Sequence, residues 1–353
     1  MHASPKISVL LPVYKVEPYI EECLDSLLSQ TSTDFEIIAV DGCSTDNTRE
    51  LLEKKRLDEP RLTVFRASER GPGQARNIGA DLARGEYLWF VDGDDEVAPE
   101  AVLAVAERLR SDRPDVLVIN HQVLEADGLT DGQDERLLAA EQGSVGPLTE
   151  RPWLIDISMV SWNKIARREF FQASAGNFSP QWPHEDVAVS CRLMLRADRI
   201  SVLHQVCYHF RRERPGSATK TGDPRRHFTA LGAWESVLAD AREQALAGDP
   251  AMPVSVYHWL FQRAIWHCST ILDARPAGFG PYIADGDRKE FFGRMADLYD
   301  DYKLRGYRRP GGLRGVKFRL IASRLYWAYA IGDRMNRRRV RLEDIAKSAR
   351  PGR

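Results

Sequence analysis

The sequence predicts an α/β fold: a Rossmann-like, mostly parallel sheet with helices on both faces, followed by a helical C-terminal region. Two observations predict it. Over the first 120 residues five short β-rich runs alternate with helical patterns, which implies right-handed parallel βαβ units. From Arg225 onward only helical patterns remain.

In order, Ile7 to Leu11 reads as a strand, and Pro18 to Ser29 as a helix with Ile20, Leu24, Leu27 and Leu28 near one face. Phe35 to Val40 is the next strand and Thr45 to Leu57 the next helix. Leu62 to Phe65 follows, then Gly71-Pro72-Gly73 turns into a helix through Leu82. Tyr87 to Val91 is almost wholly apolar, a helix runs from Pro99 to Leu109, and Asp115 to Ile119 is the fifth strand. Glu125 to Thr149, rich in Gly, Asp, Gln and Glu without periodicity, reads as a surface excursion. Structure resumes around Trp153 to Phe171, in a helix from about Glu185, and in a strand from Ile200 to Phe210. Helical segments are expected near 227–247, 252–273, 287–300 and 313–335, so the body spans 1–222 and the helical region 223–353.

Hydrophobic residues make up 43% and charged residues 29%, which excludes collagen-like and wholly disordered chains. The net charge of −1 hides an asymmetry: Lys303 to Arg353 carries 16 Lys and Arg against three acids, so this tail is +13 and residues 1–302 are −14. An acidic body argues against nucleic acid as its partner. Five cysteines without a CxxC pair indicate neither a disulfide framework nor a zinc cluster, and a reducing compartment fits. With no signal peptide and no spanning segment read from the sequence, a cytoplasmic location is expected.

In open α/β sheets ligands bind beyond the carboxyl ends of the strands. There the sequence places Pro12-Val13-Tyr14, Asp41 to Asp46, and Asp92-Gly93-Asp94-Asp95. An N-cap accounts for Asp41 to Asp46 taken alone. Three carboxylates in four residues repel one another unless a cation or strong donors offset the charge. Hard oxygen ligands without His or Cys point to Mn²⁺ or Mg²⁺ bridging to phosphates, hence to a diphosphate substrate. The Gly71 to Asn77 spacing matches neither a dinucleotide fingerprint nor a P-loop, and the glycines turn the loop into a helix whose Arg76 and Asn77 face the same rim.

The runs Ile7 to Tyr14, Phe35 to Thr48, Ala75 to Gly79 and Gly85 to Asp95 together resemble the family-two glycosyltransferases of the GT-A fold. The resemblance continues more weakly through Trp162-Asn163-Lys164, His184 to Val187 and Arg211 to Ser217. It implies an inverting transferase using a nucleotide-sugar donor, often a UDP-sugar, with a hexosyl or N-acetylhexosaminyl group transferred. By that similarity Pro12, Tyr14 and Asp41 hold base and ribose, and Arg76 and Asn77 line the nucleotide site. Asp92 and Asp94 match the DXD motif, Asp94 as direct metal ligand and Asp92 on ribose or metal. Asp186 is the expected general base, with Glu185 second or orienting, and Arg211 to Ser217 the loop over the diphosphate. One departure stands: Asp41-Gly42-Cys43-Ser44 replaces the commoner Asp-Asp-Gly-Ser, which leaves base preference open.

Acceptors consistent with that family are a cell-surface glycan, a polyol-phosphate (teichoic-acid-like) polymer or a lipid-linked sugar. Around Leu313 to Met335 arginines interleave with aromatics, as in a helix lying on anionic lipid at the inner membrane face; a helix packed on the body is the competing reading. The C-terminal helices could also pair two copies into an oligomer. Two alternatives to a glycosyltransferase fit the residues less well. A sugar-phosphate nucleotidyltransferase would carry a Gly-rich basic signature where Pro12 to Val16 stands, and a non-catalytic binding module would not need Asp41, Asp92, Asp94 and Asp186 together.

Overall fold

The structure, a computed structural model, describes residues 5–179, 183–212, 214, 223–275, 281–333 and 335. The strands are β1 Ile7–Val13, β2 Phe35–Asp41, β3 Leu62–Arg66, β4 Tyr87–Phe90, β5 Glu96–Val97, β6 Val116–Glu125, β7 Gly128–Asp131, β8 Val145–Gly146, β9 Lys164–Arg167 and β10 Ile200–Arg211. The helices are α1 Ile20–Leu28, α2 Thr48–Asp58, α3 Pro72–Leu82, α4 Ala101–Asp112, α5 Glu135–Ala140, α6 Arg168–Ser174, α7 Glu185–Arg196, α8 Thr229–Ala247, α9 Val254–Asp273, α10 Arg288–Tyr302 and α11 Gly312–Ala322.

One sheet runs β3-β2-β1-β4-β9-β6-β10-β5, with β7 beside β6 and β8 beside β10. The pairs β3–β2, β2–β1, β1–β4 and β6–β10 are parallel, and the α/β class expected from the sequence holds. Alternate residues of the apolar strands face two different cores. Val9, Ile37, Trp89 and Leu117 point to the layer holding α1 and α4, while Leu10, Ile38, Leu88 and Val118 point to the layer holding α3 and α7. The second layer runs on without a break into Trp234, Phe261, Phe291 and Phe318 of the C-terminal helices. Burial on both faces explains why these strands read as continuous apolar runs.

Three findings correct or add to these expectations. The segment 125–149 is not a bare excursion: it forms β7, α5 and β8. All four residues of β7 are exposed, so its pairing with β6 leaves no alternation to read. Second, β9 stands antiparallel between β4 and β6 in the middle of the sheet. It has four residues, two of them charged, and Lys164 is nevertheless buried. Third, the helix expected over 313–335 is broken. Arg324 adopts φ 54, its N–H donates to Ile321 O at 2.9 Å, and Leu325 N–H donates to Leu320 O at 3.0 Å. This is a Schellman stop with arginine where glycine is usual, so the ordinary stop signal is missing. Helix resumes at 326–333. Among the described residues no helix is long and apolar enough to cross a membrane.

Candidate functional site

The carboxyl ends of β1, β2 and β4 lie side by side because these strands are parallel, and Val13 is in register with Asp41. Pro12 is buried as the penultimate residue of β1, and Gly42 N–H donates to Val13 O at 2.8 Å. The loop after β1 is latched to the start of α2: Lys15 N–H donates to Ser44 Oγ (3.0 Å) and Val16 N–H to Thr48 Oγ1 (2.9 Å). Tyr14 caps this edge. The Arg70 guanidinium lies over its ring, 4.5 Å from the centroid, and donates to its hydroxyl. Asp41 is 1% exposed; one carboxylate oxygen accepts from Ser44 N–H at 2.9 Å, and Oδ2 has no protein partner. A buried carboxylate oxygen without a donor is a place for a ligand N–H or O–H.

Beyond β4, Gly93 packs so tightly that a Cβ there would lie 2.8 Å from Val13 Cγ1. Asp92 N–H donates to the Tyr208 hydroxyl (3.0 Å), which in turn donates to Asp95 Oδ2 (2.7 Å). Asp95 also accepts from Arg211 N–H at 2.7 Å. Asp95 is therefore a buried anchor of the turn. The side chains of Asp92 and Asp94 stay partly open, and the Arg214 guanidinium lies 2.6 Å from Asp94 Oδ2. Burial raises the Asp94 carboxyl above the usual carboxylate range, with Arg214 opposing and the charge of Asp92 adding to the rise.

Arg76 is the hinge between two sides of the cleft. It is 5% exposed, reaches Asp92 Oδ1 with Nη2 at 2.8 Å, and donates through Nη1 to Glu185 Oε1. Its guanidinium also lies over the Phe178 ring. The N-terminus of α3 approaches this segment so closely that a Cβ on Gly73 would sit 2.5 Å from Ser179 O. Asp186 follows on the first turn of α7, half-buried. Burial, then the charge of Glu185, pushes its carboxyl up to about 7.

Arg76, Asp92, Asp94, Glu185 and Asp186 thus share one electrostatic neighbourhood, while Pro12, Tyr14 and Asp41 lie at the adjacent ends of β1 and β2. Asn77 is placed differently. Its amide donates to Phe178 O (3.0 Å) and accepts from Phe178 N–H (2.8 Å), so both its polar atoms pin that backbone rather than point to the rim. Arg211 is likewise committed, donating to Asp94 O (3.0 Å), Glu22 (2.7 Å) and Glu96 (2.7 Å), which leaves Arg214 as the guanidinium beside the acidic turn. Ser217 lies outside the described residues. Trp162 stacks on Tyr208 (4.6 Å, 7°) and Phe210 (5.7 Å, 11°), behind the Asp92 turn. His184 sits in a buried cluster with His227 and His267, where burial holds it well below the usual histidine range.

Sequence reasoning missed Arg70 and Tyr208. Neither lies in a motif; both reach the site through the folded sheet.

Two hard carboxylates at the rim suit a divalent cation whose remaining ligands come from phosphate oxygens. Asp92 and Asp94 fit that requirement through donor chemistry, with Arg76 and Arg214 holding them meanwhile. Among the described residues no group of three or more His, Cys, Asp or Glu converges to hold a metal by itself, so ligand oxygens would have to complete the shell.

Comparison with known proteins bears on the family and the fold. "Uncharacterized glycosyltransferase EpsJ" of Bacillus subtilis is 31% identical over 225 residues, 61% of this chain and 63% of that protein. The Staphylococcus aureus poly(ribitol-phosphate) beta-N-acetylglucosaminyltransferase TarS is 31% identical over 215 residues, 60% of this chain and 36% of TarS. The alignments therefore span less than two thirds of either relative. The crystal structure of S. aureus TarS 1-349 in complex with UDP-GlcNAc superposes with a TM-score of 0.68 at 24% identity, covering 84% of this chain and 82% of that one, and shares the fold. The model of Glycosyl transferase family 2 matches residues 8–198, from the first strand past the Glu185-Asp186 turn, and the chain belongs to that family.

Proposed function

We propose that this chain is an inverting glycosyltransferase that moves a sugar from a nucleotide-diphosphate sugar, a UDP-sugar foremost, to a hydroxyl of a cell-surface polymer. The observation that carries the reading is Arg76, whose guanidinium ties Asp92 to Glu185, so that the carboxylates of the donor turn and of the α7 turn face one cleft.

On the donor side, the partnerless Asp41 Oδ2 suits a nucleobase or ribose that donates an N–H or O–H, and Tyr14 with its Arg70 lies at the neighbouring end of β1. The donor's diphosphate would meet the Arg214 guanidinium directly and Asp94 only across a bound cation. A Mn²⁺ or Mg²⁺ held by Asp94 and Asp92 would neutralise charge on the leaving diphosphate.

On the acceptor side, Glu185 is engaged by Arg76 and is the orienting group. Asp186, lifted to about 7, is the base. The acceptor oxygen attacks the anomeric carbon and its proton passes to Asp186. The bond from that carbon to the diphosphate oxygen breaks, and the nucleoside diphosphate leaves with the electron pair. In-line attack from the face opposite the diphosphate inverts the anomeric centre. The likeness to TarS, named for action on poly(ribitol-phosphate), supports a polymer acceptor.

The test is thermal-shift binding against UDP-, GDP-, CDP- and dTDP-sugars with and without Mn²⁺, beside Asp94→Ala. The reading expects one nucleotide class to stabilise the protein in a metal-dependent way that the variant loses. No shift with any donor would overturn it.

A further inference from the structure

The loop between α10 and α11 folds back over both helices and encloses a cleft of about 720 Å³ on the C-terminal region. Gly306 (φ 83) and Gly312 (φ 62) take left-handed backbone at the two ends of that fold-back. Lys303, Arg305, Arg308, Arg309 and Arg319 line the cleft and, among the described residues, no acidic side chain does.

The surrounding cations are treated differently by the fold. Arg314 pairs with Asp156, Lys317 with Asp273, and Arg324 with Asp297 and Asp300. None of the five cleft cations forms an ion pair with a carboxylate among the described residues. Lys303 rests 5.7 Å from the Tyr299 ring centroid and Arg309 meets the Tyr299 hydroxyl, contacts that leave the positive charge uncompensated. Five like charges gathered at one concavity repel each other unless an anion joins them.

The rim is apolar. Leu313 and Val316 are 54% and 53% exposed on the face of α11 that also carries Arg319, and Val316 lines the cleft itself. On the following helical segment Trp327, Ile331 and Met335, four residues apart, stand outward while Tyr329 is buried. A soluble phosphorylated ligand would gain nothing from exposed leucine and valine beside its phosphate. A phospholipid presents a phosphate with hydrocarbon immediately beneath it, and matches both halves of the surface.

We propose that this cleft is a docking site for the phosphate headgroups of an anionic phospholipid surface, with Arg305, Arg308 and Arg319 on the phosphates and Leu313 and Val316 entering the headgroup boundary. The site is separate from the donor cleft. Because its binding is read without donor or turnover, it stands or falls independently of the transfer reading.

The full chain is sedimented with vesicles of phosphatidylcholine alone and of phosphatidylcholine mixed with phosphatidylglycerol, alongside three variants. Wild type is expected to sediment with the mixed vesicles only. Arg305→Glu/Arg308→Glu/Arg319→Glu, which keeps the basic sequence after residue 335, is expected to lower partitioning by at least about a hundredfold, each lost near-surface cation being worth about fivefold before the added glutamates repel the surface. Leu313→Ser/Val316→Ser should lower it several-fold. The same charge change at Arg49, Arg56 and Arg110 should leave a substantial part of the binding intact, and melting temperatures check that all three variants fold. A cleft variant that sediments like wild type would overturn the proposal, as would no sedimentation of wild type or equal sedimentation with neutral vesicles. So would release of bound wild type by a soluble polyol-phosphate chain at matched phosphate but not by inorganic phosphate, an outcome that assigns the cleft to an acceptor polymer.

Discussion

The guanidinium of Arg214 lies 2.6 Å from Oδ2 of Asp94, so the central acid of the Asp92 to Asp95 turn already carries a counter-charge contributed from beyond the end of β10. A divalent ion must compete with that arginine. Arg214→Ala is expected to tighten Mn²⁺ binding about fivefold, since a partly exposed pair of this kind contributes about 1 kcal/mol or less. Asp94→Ala should abolish it. Isothermal titration of Mn²⁺ into wild type and both variants saturated with a nucleoside diphosphate, whose phosphate oxygens complete the shell, gives the answer, and unchanged affinity in Arg214→Ala would sink the competition.

Arg76 compensates two carboxylates at once from a nearly inaccessible position. Arg76→Met leaves Asp92 and Glu185 facing each other without it, and should cost about 3 to 5 kcal/mol of unfolding free energy. Arg76→Lys keeps the charge but lacks the two-armed geometry, so it should recover stability in part and activity hardly at all. Urea unfolding beside transfer rates separates the two losses.

A carboxyl raised to about 7 holds its proton across mildly acid pH. With Asp186 as base, kcat/KM should rise tenfold per pH unit below about 7 and level off above it, and Asp186→Asn should remove that limb with most of the rate. The stability sign is opposite. The folded state binds this proton more tightly than the unfolded chain, so its contribution is full below the ordinary aspartate range and declines as pH climbs to about 7. A pH–rate profile and melting curves over the same range test both signs.

Trp162 stacks on the tyrosine whose hydroxyl links Asp92 and Asp95. Trp162→Ala should destabilise by about 3 to 5 kcal/mol. Because Tyr208 loses its backing, donor affinity should fall as well. Trp162→Phe should restore most of the stability, and donor titration of both variants shows whether the stack also shapes the site.

The first half of the sheet was legible because its strands are short apolar runs separated by amphipathic helices, a pattern that survives in one dimension. The strand-end acids were legible for the same reason: Asp41 and Asp92 stand next to those runs. What was not legible depended on folded neighbours. Nothing in the run Trp162-Asn163-Lys164 announces that Lys164 is buried, donating to Ser158 O at 2.6 Å and Asn163 Oδ1 at 2.7 Å, with burial lowering its ammonium to about 8. Asn77 reads as a rim residue beside Arg76, yet one helical step turns it from the cleft to Phe178. The stop at Arg324 uses no glycine, so periodicity ran straight through it.

The antiparallel strand β9 has a consequence for the order of assembly. Its register joins Leu88 to Ala166 and Leu117 to Ile165, so β4 and β6 meet only through a segment that lies nearly forty residues beyond β6 in the chain. During synthesis the first four parallel strands can associate as soon as Phe90 has emerged, but both β4 and β6 then present open edges until residues 164–167 arrive. Closing that gap is a late, non-local event of the kind that slows folding and exposes strand edges to neighbours. A chain halted near residue 160 keeps its nucleotide-side strands yet has no middle to its sheet, and aggregation of such truncated chains would mark this stage as the vulnerable one.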